Sequence, residues 1–427
     1  MSTALTSEAE AVFAHVDRDE LVDIAKDLIR FPSIKGEETP LARHLAEFFT
    51  ERGYEVDLFE VEPGRYQTIA TLKGEGGGKS LMLNGHIDID PLEDGWDHDP
   101  FEAKVEGDLL FGAGVINMKG ADASMIHAAE AIRKSGVKLK GDLVVALVAG
   151  ELHGGLGTDM LMKSGFRTDA AIVPEAFGVR NVLTMNVGTC SVAITIKGKS
   201  AHIMYKEDSV DAIAKMVKAV PALNSIEFTH EPRPDLPDIP QMNLGAIVGG
   251  RGSAHDTRGA NYVSDYCTAL IDVRFLPGQS IDSVEADFVR VMEELKAEDP
   301  ELEYEVQIPP PARFHEGKTR GHEPFEIPAD AYIVQSVASH YTEVTGKEPE
   351  LIGVHVPGSY SGDDTSHLWA AGIPCVLWGP GHGAGIRSAF ANENMYISEM
   401  EIASKVFALT ALDICNQDKG EDFPEGS

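Results

Sequence analysis

Basic residues are scarce in this chain. Its 427 residues include 36 Lys and Arg against 69 Asp and Glu, and the formal net charge is −33. Nucleic acids and anionic membranes are bound through basic surfaces, so the composition excludes both as predicted partners. A small anionic substrate stays compatible with this charge, because one or two arginines in a cleft would suffice locally.

Cysteines and long apolar runs are scarce as well. The four cysteines are scattered without a CxxC pair, which is typical of reduced core residues in a cytoplasmic protein. The longest interior apolar run, Leu143–Ala149, is too short to span a membrane. Residues Met1–Leu21 carry acidic side chains and lack the apolar segment of a secretory signal, so we expect a cytoplasmic location.

Helical and extended patterns alternate along the first part of the chain. Ala4–Arg30 and Asp122–Ser135 have helical periodicity, whereas Tyr54–Val61, Leu81–Leu83 and Leu143–Ala149 read as strands. Such alternation favours an α/β fold in which helices cover a mixed or parallel sheet. The length of the chain suggests two to three domains.

The pattern changes near Cys190. From there the order strand, helix, strand, strand, helix, strand describes a ferredoxin-like α+β insert. We predict that the insert spans residues 188–308, and that Pro309–Pro311 mark the return to the first domain. Residues 1–187 and 309–427 are then predicted to form one catalytic domain.

The segment from Leu81 to Gly120 is the most informative part of the sequence. His86 and Asp88 follow a short apolar strand, and alternation places both side chains on the same side of the backbone. A histidine and a carboxylate at this spacing often hold a metal-bound imidazole in one tautomer. Two ordinary polar residues at a strand end are the alternative interpretation of this pair.

Further motifs extend the pattern. The sequence continues from GHIDIDP at Gly85–Pro91 to WDHDPF at Trp96–Phe101 and GAGVINMKG at Gly112–Gly120, and GKSAH stands at Gly198–His202. Together these motifs resemble the M20 metallopeptidases and deacylases, the family of acetylornithine deacetylase, aminoacylase and carboxypeptidase G2. The resemblance implies a zinc-peptidase-like catalytic domain with a ferredoxin-like lid and dimerisation domain.

The resemblance also implies metal ligands, and several of these positions are altered. For the first ion it implies His86, Glu175 and a bridging Asp, whose position holds Asn117. For the second ion the same bridging position is joined by Leu152 and by Ala389, neither of which can bind a metal. We therefore expect one weakly held divalent ion, such as Mn²⁺, Zn²⁺ or Co²⁺, unless His153 or His382 supplies a replacement ligand.

Other roles follow from the resemblance. It implies that Glu151 is the general base, that Asp88 supports His86, and that His202 stabilises charge from the lid of a neighbouring subunit. A homodimer or a larger homo-oligomer through the lid is thus expected. Asn261, Arg274 and Arg387 are candidates for binding an anionic substrate. The predicted burial of Arg274 requires an anionic partner, which could be Asp272, Asp265 or a substrate carboxylate.

A metal with so few ligands suits a substrate that chelates, such as an ortho-aminobenzoate. Within the family the chain resembles the 5-nitroanthranilate aminohydrolase type, which implies deamination of 5-nitroanthranilate to 5-nitrosalicylate and ammonia in aromatic compound degradation. A conventional two-metal N-acyl amino acid deacylase or peptidase is one alternative. A non-catalytic binding protein is another, although the presence of Glu151 argues against it.

Overall fold

A computed structural model describes residues 6–354, 361–381 and 390–423 of the chain. The helices are α1 Ser7–Phe13, α2 Arg18–Ile29, α3 Thr39–Glu51, α4 Gly120–Ser135, α5 Leu156–Lys163, α6 Ala212–Asn224, α7 Ile281–Glu298, α8 Tyr332–Thr345, α9 Thr365–Ala370 and α10 Ile397–Cys415. The strands are β1 Glu55–Glu62, β2 Arg65–Leu72, β3 Leu81–His86, β4 Lys104–Glu106, β5 Leu109–Phe111, β6 Leu143–Val148, β7 Ala170–Val173, β8 Asn181–Leu183, β9 Met185–Asn186, β10 Gly188–Lys197, β11 Gln241–Gly250, β12 Tyr266–Phe275, β13 Glu303–Gln307, β14 Phe325–Glu326, β15 Leu351–Gly353, β16 Cys375–Leu377 and β17 Asn394–Tyr396.

The chain divides into two compact units. Of the described residues, 6–186, 325–354, 363–381 and 390–423 form the larger unit, and 187–324 and 361–362 form the smaller one. Within the described residues, no helix combines the length and the apolar character needed to cross a membrane.

A mixed eight-stranded sheet forms the centre of the larger unit. Its order is β1-β2-β6-β3-β7-β16-β8-β15, and β6, β3, β7 and β16 are parallel neighbours. The strands β3 and β6 are buried along their whole length, which explains their continuous apolar character. Helices α3, α4, α8 and α10 pack against this sheet.

The smaller unit is a four-stranded antiparallel sheet with the order β11-β12-β10-β13. Helices α6 and α7 pack against it, and its core contains Val192, Ile194, Met216, Val273 and Phe288. The order of elements and the strand order are those of a ferredoxin-like unit. The predicted fold class, a mixed sheet covered by helices with a ferredoxin-like insert, is therefore confirmed.

Two predicted boundaries differ from the structure. The helical pattern over Ala4–Arg30 breaks into α1 and α2, because Asp17 caps a new helix by accepting a hydrogen bond from the Glu20 amide at 2.9 Å. The predicted return to the larger unit at residue 309 is too early, since residues 309–324 belong to the smaller unit. Arg320 anchors this segment to α7 through salt bridges to Asp282 at 2.6 Å and Glu285 at 2.8 Å.

Candidate active site

Three adjacent parallel strands bring the candidate site together. His86 is the last residue of β3, Glu151 follows the end of β6, and Glu175 follows the end of β7. Because β6, β3 and β7 run parallel, their carboxyl ends lie at the same edge of the sheet, where ligands bind in open α/β sheets.

The His86 ring has a defined orientation. Its Nδ1 donates a hydrogen bond to the carbonyl oxygen of Asp88 at 2.9 Å. The other nitrogen, Nε2, lies 3.9 Å from Glu151 Oε2, 3.9 Å from Glu175 Oε1 and 3.1 Å from Asn117 Oδ1. In a neutral ring the Nε2 lone pair faces two carboxylates, so a proton or a metal ion is needed between them.

The electrostatics of the site also call for positive charge. Burial by itself lowers the pKa of His86, but the surrounding Asp88, Glu151 and Glu175 outweigh it and raise the value to about 10. Burial raises the pKa of Glu175 to about 7 and that of Glu151 well above its usual range. The donor set of one imidazole and nearby carboxylates therefore fits a divalent cation.

This donor set is small. Among residues 6–354, 361–381 and 390–423, no group of three or more His, Cys, Asp or Glu side chains is arranged to hold a metal ion. His86 and Glu175 could bind an ion together with the neutral amide oxygen of Asn117. The predicted ligands His86, Glu175 and Asn117 are thus brought together, but they form a minimal site.

Asp88 contacts the His86 ring through its main chain, whereas its carboxylate has a second set of partners. Its carboxylate is 3.6 Å from His86 Nδ1, whereas its main-chain carbonyl makes the hydrogen bond to the ring. The carboxylate instead accepts hydrogen bonds from three successive backbone amides, those of Gly150 at 2.9 Å, Glu151 at 3.1 Å and Leu152 at 3.0 Å. Asp88 therefore holds the loop that carries Glu151.

The His153 ring is bound by an arginine. Its Nδ1 lies 3.1 Å from Arg65 Nη1, and arginine can only donate, so Nδ1 is the acceptor. The ring proton is then on Nε2, and Nδ1 is already occupied. The hypothesis that His153 replaces a missing metal ligand is not favoured by this contact.

Two carboxylates near the site were not predicted. Asp363 accepts hydrogen bonds from the Thr365 amide at 2.8 Å and the Thr365 hydroxyl at 2.5 Å. The neighbouring Asp364 is buried, and burial raises its pKa to about 8 although the His86 charge opposes the shift. The adjacent acids at the start of a short helix, in the sequence SGDDTSH, were the signal that could have identified them.

A third carboxylate lies under β3. Asp122 is fully buried in the first turn of α4, and neither of its oxygens has a hydrogen-bond partner among the described residues. A Cβ atom at Gly85 would lie 2.2 Å from Asp122 Oδ1, so this acid occupies the space that the glycine leaves. Burial raises its pKa well above the usual range, despite the opposing charges of His86 and Lys119.

Three predicted site residues belong to the smaller unit. His202 is partly exposed, accepts a hydrogen bond from the Met204 amide at 3.3 Å and contacts the Tyr262 ring edge-on. Asn261 is exposed. Arg274 is only partly buried, contrary to the prediction, and it pairs with Asp272 at 2.8 Å, so the strand supplies its anionic partner.

Comparison with known proteins assigns the family. Residues 82–413 match the model of peptidase family M20/M25/M40. The chain belongs to this family. The resemblance drawn from the motifs of the sequence is thereby confirmed, and the chain is an M20 family hydrolase.

The similar M20 proteins include enzymes that act on small amides. The chain is 28% identical to N-formyl-4-amino-5-aminomethyl-2-methylpyrimidine deformylase of Bacillus subtilis, over 94% of this chain and 96% of that protein. It is 31% identical to acetylornithine deacetylase of Vibrio campbellii, over 60% of this chain and 66% of that protein.

Solved structures of M20 proteins share the fold. The metallo-carboxypeptidase Sso-CP2 from Sulfolobus solfataricus superposes with a TM-score of 0.72 at 16% identity, covering 92% of this chain and 99% of that one. YxeP of Bacillus subtilis, described as a dinuclear metal-binding peptidase, superposes with a TM-score of 0.64 at 17% identity, covering 93% of this chain and 98% of that one.

The structure describes only part of the segment around Ala389. Arg387, His382 and Ala389 lie outside the described residues, so their predicted roles stay predictions. Glu393, four residues after Ala389, is buried and accepts a hydrogen bond from the Gly114 amide. The end of this motif is therefore attached to the loop that precedes Asn117.

Asp122→Asn should stabilise the metal-free protein at pH 7. The raised pKa of Asp122 means that folding disfavours its ionised form, and each unit between the unfolded and folded pKa costs about 1.4 kcal/mol. This destabilisation is absent below the pKa that Asp122 has in the unfolded chain, near pH 4, and it grows as the pH rises toward the pKa that Asp122 has in the folded protein. Urea unfolding of both proteins at pH 4 and pH 7 measures this. An equal difference at both pH values would contradict the assignment.

Proposed function

We propose that this chain hydrolyses a carbon–nitrogen bond with the help of one divalent ion, held by His86 and Glu175 with a weak contribution from Asn117. The observation that carries the proposal is the position of His86 Nε2, which faces Glu151 and Glu175 at 3.9 Å each. Positive charge is needed there, which a divalent ion would supply, and Glu151 is then the carboxylate left to act on a proton.

The roles of the residues follow from their places. When bound, the ion would act as a Lewis acid toward the substrate and lower the pKa of water. Glu151 would take a proton from the attacking water and give it to the leaving nitrogen, and burial, which raises its pKa above the usual range of a carboxyl group, makes it a stronger base. Asp88 would hold both partners, the ring of His86 through its carbonyl and the Glu151 loop through its carboxylate.

A single ion is favoured by the residues at the M20 metal positions. The bridging position is the neutral Asn117, and Leu152 has no atom that can bind a metal. An ion with one charged ligand would be held weakly and would leave positions for a chelating substrate. Our specific candidate is therefore 5-nitroanthranilate, in which water replaces the amine to give 5-nitrosalicylate and ammonia.

A second candidate is the hydrolysis of an N-formyl or N-acyl amine. It is favoured by the similarity to the pyrimidine deformylase, which extends over nearly the whole length of both chains. The same residues would serve, because Glu151 can return its proton to the nitrogen of a cleaved amide as well as to an aryl amine. The two candidates differ in the products, which are ammonia in one case and formate or another acid in the other.

A substrate panel tests the function. The purified protein with added Mn²⁺, Zn²⁺ or Co²⁺ should release ammonia from 5-nitroanthranilate or an acid from N-formyl and N-acyl amines. Glu151→Gln should lose roughly 10²–10⁴ of the rate, because it keeps the shape of the side chain but lacks the base. The failure of every substrate with metal bound, or full activity of Glu151→Gln, would contradict the proposal.

The metal content should be at most one ion per chain. We expect Asn117→Asp to bind the ion more tightly, because a carboxylate attracts a divalent cation far more strongly than an amide oxygen does. Calorimetric titration with Mn²⁺ and elemental analysis after dialysis measure both quantities. Two tightly held ions in the wild type, or an unchanged affinity in Asn117→Asp, would refute the one-ion assignment.

A homodimer through the smaller unit is also proposed. Among the described residues, β11 pairs with β12 alone, and Ile247 on this strand and Val217 on α6 are 46% and 66% exposed. An open strand edge next to exposed apolar side chains is suited to a second copy of the chain.

His202 should then act on charge that develops in the transition state of a neighbouring subunit. We expect His202→Ala to lower kcat more than it raises KM. Mixed dimers of His202→Ala and Glu151→Gln subunits should recover activity, because one site in each would combine an intact base with an intact histidine. The absence of recovery in dimers shown to have formed would mean that His202 does not act across subunits.

A further inference from the structure

A buried arginine stands directly behind the loop of Glu151. Arg65, at the start of β2, is 7% exposed, and its Nη1 donates to His153 Nδ1 at 3.1 Å. A Cβ atom at Gly150 would lie only 2.8 Å from Arg65 Nη2. The guanidinium therefore contacts the loop on both sides of Glu151, one residue before it and two residues after it.

Two glutamates fix this guanidinium. Glu38, which is fully buried, accepts from Arg65 Nε at 2.9 Å and from Nη2 at 2.5 Å. Glu62 accepts from Nη1 at 3.1 Å. A planar guanidinium bonded twice to one carboxylate has little freedom to rotate, so Arg65 is a rigid support.

The loop itself has little stiffness of its own. Gly150, Gly154 and Gly155 have φ angles of 77°, 87° and 72°, which are left-handed values that glycine adopts at low cost. Asp88 binds the amides of residues 150–152 from one direction. Arg65 binds the side chain of His153 from another direction. Burial and the charge of Arg65 both lower the pKa of His153, which favours the neutral ring that can accept this hydrogen bond.

We infer that Arg65, held by Glu38, is a positioning residue for Glu151. It prevents the glycine-rich loop from moving away from Asp88, and so keeps the Glu151 carboxylate facing His86. The inference rests on the proposed function in so far as Glu151 is the base, whereas the effect on the loop can be measured without any substrate.

The first test measures the loop directly. Hydrogen exchange of the amides of residues 150–152 should be at least roughly tenfold faster in Arg65→Met than in the wild type, because local opening becomes easier. Arg133→Met is the matched control, since Arg133 pairs with the buried Glu130 at 2.8 Å and is part of α4. This control should leave the exchange of the loop unchanged. Unchanged exchange in folded Arg65→Met would overturn the inference.

The second test separates positioning from general destabilisation. Arg65→Met should lower kcat by roughly 10- to 100-fold, because a displaced Glu151 is poorly placed to take the proton. KM and the affinity for Mn²⁺ should change little. In a Glu151→Gln background the same substitution should have almost no further effect. A further loss of equal size in that background would show that Arg65 acts elsewhere and would refute the inference.

Glu38→Gln is the milder second variant. It keeps Arg65 but removes the charge of its buried partner, so it should show the same pattern with a smaller effect, and it carries the test if Arg65→Met does not fold. Faster exchange of the loop without any hydrolase activity in the wild type would support the positioning of the loop and defeat the proposed function alone.

Discussion

The three hydrogen bonds from the Gly150, Glu151 and Leu152 amides to the Asp88 carboxylate are the constraint on which the site depends. Hydrogen bonds to an ionised acceptor are stronger than neutral ones, and these are buried. The same residue fixes the His86 ring through its carbonyl. Asp88, just after β3, therefore sets the distance between the His86 imidazole and the Glu151 carboxylate, which follows a different strand.

Much of this arrangement could be predicted from the sequence because it depends on strand ends. The apolar runs of β3 and β6 are continuous, and a polar residue directly after such a run must lie at the edge of the sheet. This reasoning, together with the motifs, located His86, Glu151 and Glu175. It could not locate Asp122, because nothing in the sequence shows that this helix residue fills the space beside Gly85.

Other features could not be predicted from the sequence, because they depend on contacts between residues far apart in the chain. Asp363 and Asp364 are close enough to raise the pKa values of Glu175 and Glu151, although they come far later in the chain, and no local pattern predicts this proximity. The prolines at Pro309–Pro311 suggested a boundary, but the salt bridges of Arg320 to α7 keep the following residues in the smaller unit. The strand β11 has three glycines and exposed side chains, so it lacks a clear alternating pattern.

The carboxylates around His86 make protons compete with a divalent ion for this site. Without an ion, the high pKa of His86 and the raised pKa of Glu175 mean that protons supply the missing positive charge at neutral pH. Metallation must therefore expel protons, and the apparent affinity falls as the medium becomes more acidic. Acidification should therefore lower the occupancy of the proposed ion, so that metal occupancy would link the activity to pH.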